Sequence, residues 1–328
     1  MLNIEVAELM ETEGKLMEFS QKVKRNIVLS SEEKEIASVV DAWAKEIGEG
    51  KKDAYELAQY ITKVVEPEVY NAPDELLDAL FDRGSIGEFD SEQIVTNAKN
   101  TLDAIESAKN GNVDKSYIDY SALQPTWRHA QIETEVSMEK LRKGGYKTVA
   151  ELVTFAEEAF KNKMFYMVFT AIDTAITAPS AQGFTSASAV TVLAADDAAG
   201  YLLDRGQSPI LVGLSTLIRP MYKMTGYSTY QSDAMRDELN KYGILGMYNG
   251  VKLVPISAAK KLADDTTLLP SNRLVGVADK IGVLDMKGSM RTLQTPDNNR
   301  EVINLKMTGF EFGYAFNKIE NACKIAIT

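Results

Sequence analysis

The amino-acid sequence predicts a mixed α+β fold. Three observations carry this prediction: a helical first third, one very long amphipathic segment, and a final stretch that is almost all strand and turn. Helical segments have apolar residues three and four positions apart, whereas half-buried strands alternate apolar and polar residues. At 328 residues the chain is long enough for about two domains of ordinary size.

The first third of the chain is helical and acidic. Apolar periodicity predicts helices over residues 4–24, 31–47 and 54–65, with Ser31 as an approximate N-cap of the second. Pro67 is expected to end the third helix, because proline has no N–H to donate. A short helix is predicted over 74–81, ended by Gly84 and Gly87.

A polar, turn-prone stretch follows. Residues 107–126 include Asn110, Gly111 and Pro125, and residues 128–136 then alternate as a half-exposed strand does. Together they predict a long, exposed loop whose return limb is a strand.

The clearest helix covers residues 148–176. Thr148 and Glu151 fit a T-x-x-E capping box, and Pro179 is expected to end the helix. Roughly 30 residues at about 1.5 Å each give a length of about 45 Å. This is two to three times the usual globular length, so the helix needs a long surface on which to pack.

Beyond this helix, the pattern mixes helices and strands. Strands are predicted over 189–194 and 209–213, and helices over 196–204, 215–223 and 232–242. Asn249-Gly250 predicts the type I′ turn of a hairpin over 244–257. Residues 273–328 are predicted to be strands and turns, with a turn at 286–289 and an alternating strand over 301–308. On one strand face we expect Phe310, Phe312, Tyr314 and Phe316.

Charge and cysteine content exclude several classes of protein. A net charge of -11 argues against unspecific attraction to nucleic acid or anionic membranes. Cys323 is the only cysteine, which excludes an intrachain disulfide and a multi-cysteine zinc site; its alternating neighbours predict a buried thiol on a strand. No apolar run approaches the roughly 18 to 20 residues of a membrane span, and no secretory pattern opens the chain. We therefore expect folding in a reducing cytoplasm.

Candidate catalytic groups are sparse. His129 is the only histidine, and no nucleophile elbow, P-loop or dinucleotide fingerprint is present. The Gly243, Gly246 and Gly250 cluster is explained by a hairpin and strand ends. The pair Asp196-Asp197 is predicted to open a helix, and Asp264-Asp265 to lie in a solvated loop. No catalytic, cofactor-binding or metal-binding residue is predicted, which favours a structural, self-assembling protein over an enzyme.

Three segments, taken in order, resemble the Hong Kong 97 fold of the major capsid proteins of tailed bacteriophages. The first is APDELLD at 72–78, with Leu80-Phe81 and Ile86-Gly87, similar to the family's passage from arm to body. The second is GILGMYNGVKLVP at 243–255, which resembles a G-x-L-G-x-Y-x-G-x-x-V-V segment late in the axial domain. The third is Leu269-Pro270 followed by VGVADKIG at 275–282, similar to the strand that re-enters the peripheral domain.

The resemblance implies a domain organisation. Residues 1–106 would form a helical N-terminal arm, 107–147 an extended loop, 148–180 and 258–328 a peripheral domain containing the spine helix, and 181–257 an inserted axial domain. No lysine and asparagine of this chain match the covalent cross-link of some family members.

The resemblance also implies a function. The chain would be a structural subunit of an icosahedral virion shell, assembled in the host cytoplasm from pentamers and hexamers of itself. The expected partners are portal, scaffold or decoration proteins and packaged double-stranded DNA without sequence-specific contact, with no cofactor and no membrane.

Alternatives remain at this point. An encapsulin-like compartment would have the same fold but enclose a cargo protein, and a soluble α+β enzyme would use a cleft near residues 246–250. A tail or other virion component fits the order of segments less well. If subunits overlap, residues 123–139 should be exposed in one subunit and covered by another.

Overall fold

The computed structural model describes residues 13–24, 27–70, 74–88, 90, 95–100, 102–104, 106, 115–176, 183–224 and 246–328. Its α-helices are α1 (Glu13–Lys24), α2 (Ser31–Gly48), α3 (Tyr55–Tyr70), α4 (Glu75–Leu80), α5 (Met138–Gly144), α6 (Tyr146–Ala175), α7 (Val192–Leu203) and α8 (Ser215–Ile218), the last followed by a 3-10 helix over Arg219–Lys223.

The strands before residue 215 are β1 (Phe81–Ile86), β2 (Val95–Asn100), β3 (Ile118–Leu123), β4 (Thr126–Ser137), β5 (Phe184–Ala187) and β6 (Ile210–Leu214). Those after it are β7 (Met247–Tyr248), β8 (Val251–Ile256), β9 (Arg273–Val277), β10 (Gly282–Lys287), β11 (Arg291–Asp297), β12 (Val302–Ala315) and β13 (Ala322–Ile327).

A five-stranded sheet is organised around β12, which is 14 residues long. Strands β10 and β11 pair with successive parts of β12 along one edge, and β4 pairs along almost the whole of the other. Strand β1 joins the outer side of β10 in parallel. A bulge interrupts the β4–β12 register between Met307 and Phe310, and Gly309 lies there at a φ of 89°, which favours glycine.

Two further sheets complete the described topology. A six-stranded sheet has the order β5-β13-β9-β6-β8-β7, and β2 pairs only with β3 in an antiparallel two-stranded ribbon. The mixed α+β class predicted from the sequence is confirmed.

The larger hydrophobic core lies between the five-stranded sheet and helices α3 and α6. Phe310 of β12 is fully buried and meets Phe160 of α6 edge-on, with ring centroids 5.2 Å apart. Tyr70 of α3 contacts the same ring at 5.5 Å and donates a hydrogen bond to the Gly309 carbonyl at 3.1 Å. These contacts fix both helices on one face of the sheet.

A second, smaller core lies between α7 and the six-stranded sheet. Four alanines of α7 and Leu202 are buried against strands β6, β8, β9 and β13. Cys323 is buried on β13, as predicted, and burial raises the pKa of its thiol to about 12. The thiol is therefore protonated and inert at neutral pH.

The long helix is confirmed, since α6 has 30 residues, but its predicted cap is wrong. The helix begins two residues before Thr148, whose hydroxyl is directed to the Lys140 carbonyl instead. Gly145 is the N-cap and has no side chain, so the Tyr146 N–H is satisfied by Asp41 of α2 at 2.6 Å. A residue 105 positions away supplies the cap, which no local pattern reveals.

Three predictions for the N-terminal helices are wrong. Ser30, rather than Ser31, caps α2 and forms a capping box with Glu33. Pro67 lies inside α3, because burial of Val69 and the contacts of Tyr70 outweigh one lost helical hydrogen bond. Gly84 and Gly87 do not end the short helix, because α4 ends at Leu80 and β1 begins at the next residue.

Further along the chain, the strand predicted over 189–194 is wrong. Thr191 instead caps α7, accepting a hydrogen bond from the Ala194 N–H at 3.2 Å, and the strand of this region is β5. Asp196-Asp197 therefore lies within a helix rather than opening it. The predicted turn at 286–289 begins only at Gly288, because β10 runs to Lys287. Phe316 was predicted on the same strand face as Phe310, but β12 ends at Ala315, one residue before it.

Several other predictions are confirmed. Asn249 and Gly250 have φ angles of 44° and 85°, as a type I′ turn requires, and they join β7 to β8. The strands of residues 273–328 are present, and Phe310, Phe312 and Tyr314 are buried on one face of β12. Residues 1–12, the helix predicted over 232–242, and Gly243 to Leu245 lie outside the described residues.

Replacing Asp41 by alanine should destabilise the protein, because the Tyr146 N–H at the start of α6 loses its acceptor. We expect a loss of about 1 kcal/mol in the free energy of unfolding, measured by chemical denaturation of unassembled protein. Asp41→Asn retains an acceptor oxygen and is the matched control. Equal stability of the alanine variant and wild type would contradict this capping role.

Candidate assembly surface

Three strands that follow β1 form the hairpin arm, which we define as β2, β3 and β4. Strands β2 and β3 pair from Val95 with Leu123 to Asn100 with Ile118. After Leu123 the chain passes through Pro125 into β4, which joins the five-stranded sheet. The arm is therefore joined to the body of the protein by β4, and β2 and β3 form a separate two-stranded ribbon.

Large apolar and aromatic side chains are exposed on the ribbon. Tyr120 is 66% exposed and Ile118 is 43% exposed, and both lie on the same face of β3 because they are two residues apart. Strands β2 and β3 contact each other far more than any other element. An isolated two-stranded hairpin is marginally stable in water, so this ribbon requires a covering surface.

The predicted exposure of residues 123–139 is confirmed in the single chain. Most side chains of this stretch are at least partly exposed, and the buried ones are Pro125, Ala130, Val136 and Met138. That another subunit covers them stays a prediction.

Trp127 packs over Gly313 at the root of the arm. The two residues are paired across β4 and β12, and a Cβ added at Gly313 would lie 2.8 Å from the indole ring. Only glycine allows this approach. The Lys287 ammonium lies 5.2 Å from the centre of the same ring, an arrangement that gives a cation–π attraction.

Asp285 is an acidic side chain buried beside this contact. It pairs with Gly313 on one side and Gly84 on the other, and it is only 3% exposed. Its Oδ2 has no hydrogen-bond partner, and desolvation raises the pKa of the carboxyl group. An ionised Asp285 therefore opposes folding at the point where the arm meets the sheet.

Polar side-chain contacts also link β4 to the body. Arg300, in the turn between β11 and β12, makes a two-pronged contact with Glu135, at 2.8 and 3.0 Å. His129 lies 3.5 Å from Glu311 on β12. All four side chains are well exposed, so these contacts align the strands and add little stability.

A second exposed apolar surface lies around α7 and the β7–β8 turn. Leu193, Leu203 and Met247 are all exposed there. Asp196 accepts hydrogen bonds from the Tyr248 hydroxyl at 2.8 Å and the Asn249 side-chain amide at 2.7 Å. Asp196 thus fixes the turn to α7, a structural role that the sequence pattern did not reveal.

The remaining candidate groups have local structural roles. A hydrogen bond from the Thr266 side chain, followed by one from the Thr266 N–H at 3.1 Å, lowers the pKa of the Asp264 carboxyl group. Asp265 lies in the turn with a φ of 63°. Within the described ranges, no group of three or more histidine, cysteine or acidic residues could hold a metal ion. None of the described helices is long and apolar enough to cross a membrane.

Sequence reasoning missed β2, β3 and the Trp127–Gly313 contact. The alternation of Ile118, Tyr120 and Ala122 was a usable signal for β3, but its partner at 95–100 (VTNAKN) has no such alternation. The pairing of Trp127 with Gly313 depends on strand register, which no local pattern gives.

A long helix on a strand-rich sheet, an exposed hairpin arm and two separate cores define a structural subunit of the phage-capsid type. The chain belongs to the family described as "SPbeta prophage-derived putative capsid protein YonB", whose model matches residues 9–319. Its role is therefore structural and not enzymatic. A comparison with curated proteins finds no match.

Solved structures share this fold at low sequence identity. A structure titled "Mycobacterium phage Ogopogo" is 12% identical, with a TM-score of 0.55, over 77% of this chain and 91% of that one. The "Capsid of native GTA particle computed with C5 symmetry" is 10% identical, also at 0.55, over 75% and 88%. A structure titled "Microbacterium phage Oxtober96" is 12% identical, with a TM-score of 0.51, over 78% of this chain and 90% of that one. The resemblance to phage capsid proteins inferred from the sequence is confirmed.

Asp285→Asn should stabilise the unassembled protein at neutral pH. The folded-state pKa of Asp285 is raised, so its ionisation disfavours the fold as pH rises through that pKa, and the penalty is absent below the unfolded-state value. Chemical denaturation should therefore give a gain at pH 7 that shrinks as the pH is lowered towards 4. An asparagine variant less stable than wild type at pH 7 would count against a buried, unpaired carboxylate.

Proposed function

We propose that this chain is the major capsid protein of a tailed bacteriophage and assembles, as pentamers and hexamers, into an icosahedral shell around double-stranded DNA. The family supports a capsid role, and the observation that carries self-assembly is the uncovered hairpin arm. A ribbon that exposes Tyr120 and Ile118 is poorly stable alone but is stabilised if a neighbouring subunit covers it.

The domain organisation of the Hong Kong 97 fold is part of this proposal. Residues 148–180 and 258–328 form the peripheral domain, with α6 as its spine helix, and residues 181–257 form the axial domain. Residues 1–106 form the N-terminal arm, and 107–147 the extended loop. The separate core between α7 and the six-stranded sheet supports an axial unit with its own packing, to which β9 and β13 of residues 258–328 also contribute. In this arrangement Leu193, Leu203 and Met247 are available to neighbours around the symmetry axes.

Charge indicates how the shell relates to its contents. With a net charge of -11, the subunit does not attract DNA broadly. The shell therefore encloses the genome and makes no sequence-specific contact with it. Portal, scaffold and decoration proteins are the further partners of such a shell, which assembles in the host cytoplasm and becomes part of the virion.

Purified protein expressed alone should assemble. Negative-stain electron microscopy with analytical sedimentation should show closed shells, tubes, or discrete pentamers and hexamers, because heterologous contacts close into rings and shells. A monomer at high concentration that neither salt nor crowding agents change would contradict self-assembly. A single co-purified cargo protein inside the particles would instead indicate an encapsulin-like compartment.

A further inference from the structure

The turn between β7 and β8 exposes an Asn-Gly pair. Asn249 and Gly250 are both exposed, and the two strands that they join pair with each other through Met247–Tyr248 and Val251–Lys252. In an Asn-Gly pair the glycine has no side chain to shield its backbone nitrogen, so this nitrogen can attack the side-chain amide before it. Such a pair is therefore a candidate for spontaneous deamidation whenever its turn opens.

Deamidation at this pair needs no reagent other than water. The Gly250 backbone nitrogen gives up its proton and bonds to the Asn249 side-chain carbon Cγ, the bond from Cγ to Nδ2 breaks, and ammonia leaves. Water then opens the resulting succinimide ring at either of its carbonyl groups, which yields aspartate or isoaspartate. The net change is the uptake of water and the release of ammonia, so no oxidant or reductant takes part.

The backbone of the folded turn opposes this attack. Asn249 has a φ of 44° and Gly250 a φ of 85°, as in a type I′ turn. In that turn the Gly250 nitrogen and the Asn249 side chain lie on opposite sides of the Asn249 Cα–C bond. Ring closure therefore requires rotation about that bond, which breaks the turn. The rate of deamidation then depends on how often the turn opens.

Asp196 of α7 is the side chain that holds the turn closed. Its Oδ1 accepts a hydrogen bond from the Asn249 Nδ2 at 2.7 Å and another from the Tyr248 hydroxyl at 2.8 Å. Tyr248 is only 1% exposed, so the residue before the pair is also fixed. Hydrogen bonds to an ionised acceptor are stronger than those between neutral groups. Asp196 therefore restrains both the reactive amide and the strand that leads to it.

We propose that Asn249 is a deamidation site that Asp196 protects in the folded chain, and that its reaction releases the β7–β8 turn from α7. The carboxylate of the product has no N–H to donate, and it faces the Asp196 carboxylate in place of the amide. Like charges at this distance repel, so the turn must move away from α7. The change also adds negative charge beside the exposed Leu203, whose side chain lies next to Gly250. This inference concerns the single chain and stands whether or not the chain assembles.

Peptide mapping by mass spectrometry measures the reaction directly. Folded wild type and variants are incubated at mildly alkaline pH, and the deamidated fraction of the peptide that contains Asn249 is followed with time. Asp196→Ala removes the acceptor, so its rate should exceed that of wild type roughly tenfold or more. Asp196→Asn retains an acceptor oxygen and should react more slowly than Asp196→Ala. Asp197→Ala changes the next exposed carboxylate of α7 and should leave the rate unchanged.

Wild-type protein unfolded in denaturant gives the upper limit of the rate, because its turn is always open. Folded wild type should react at least about tenfold more slowly than this limit, and Asp196→Ala should lie between the two. A folded wild type that reacts as fast as the unfolded chain would show that the turn gives no protection. An Asp196→Ala rate equal to that of folded wild type would show that Asp196 does not supply it. Either result overturns the proposal.

The effect of the product on the turn is tested by introducing the carboxylate directly. Asn249→Asp should unfold at a lower denaturant concentration than wild type at neutral pH, because two carboxylates then face each other. Combining it with Asp196→Asn should restore stability, because an amide at position 196 can donate to the carboxylate at position 249. Equal stability of Asn249→Asp and wild type, or no recovery in the double variant, would contradict the release of the turn.

Discussion

The packing of α6 and α3 on strand β12 is the constraint on which the rest of the structure depends. A 30-residue helix needs a long surface, and α6 packs against α3 and β4 and reaches β12 through the contact of Phe160 with Phe310. Phe310 contacts Tyr70 from α3 and Phe160 from α6, so one buried ring joins three elements. Replacing Phe310 by alanine would leave a large cavity, and such substitutions typically lower the free energy of unfolding by about 3 to 5 kcal/mol.

The same constraint leaves an edge open. Because β10 and β11 occupy one edge of β12 and β4 occupies the other, the sheet ends at β4, beside a groove lined by α6. The β2–β3 ribbon leads into that strand, and among the described elements its two strands mainly contact each other. A chain with an exposed ribbon and an exposed edge leaves these surfaces uncovered as a monomer, and in the shell proposed above other copies would cover them.

Local signals predicted what local physics controls. The three- and four-residue periodicity predicted α6, and Asn249-Gly250 predicted the turn between β7 and β8. The errors arise where distant residues decide. Asp41 caps a helix whose first residue is 105 positions away. Helix α3 continues beyond Pro67 because its later residues are buried. Trp127 contacts Gly313 only because the register of β4 and β12 pairs them. The contacts of the candidate assembly surface depend largely on such distant residues. For this reason the Trp127–Gly313 contact was not predicted from the sequence.

A cryo-electron microscopy map of particles assembled from the purified chain tests the central claim most directly. The account predicts that each subunit keeps α6 on the five-stranded sheet and that its β2–β3 ribbon is buried against a neighbouring subunit. A map in which the ribbon folds back on its own body, with the β4 edge still open to solvent, would contradict it.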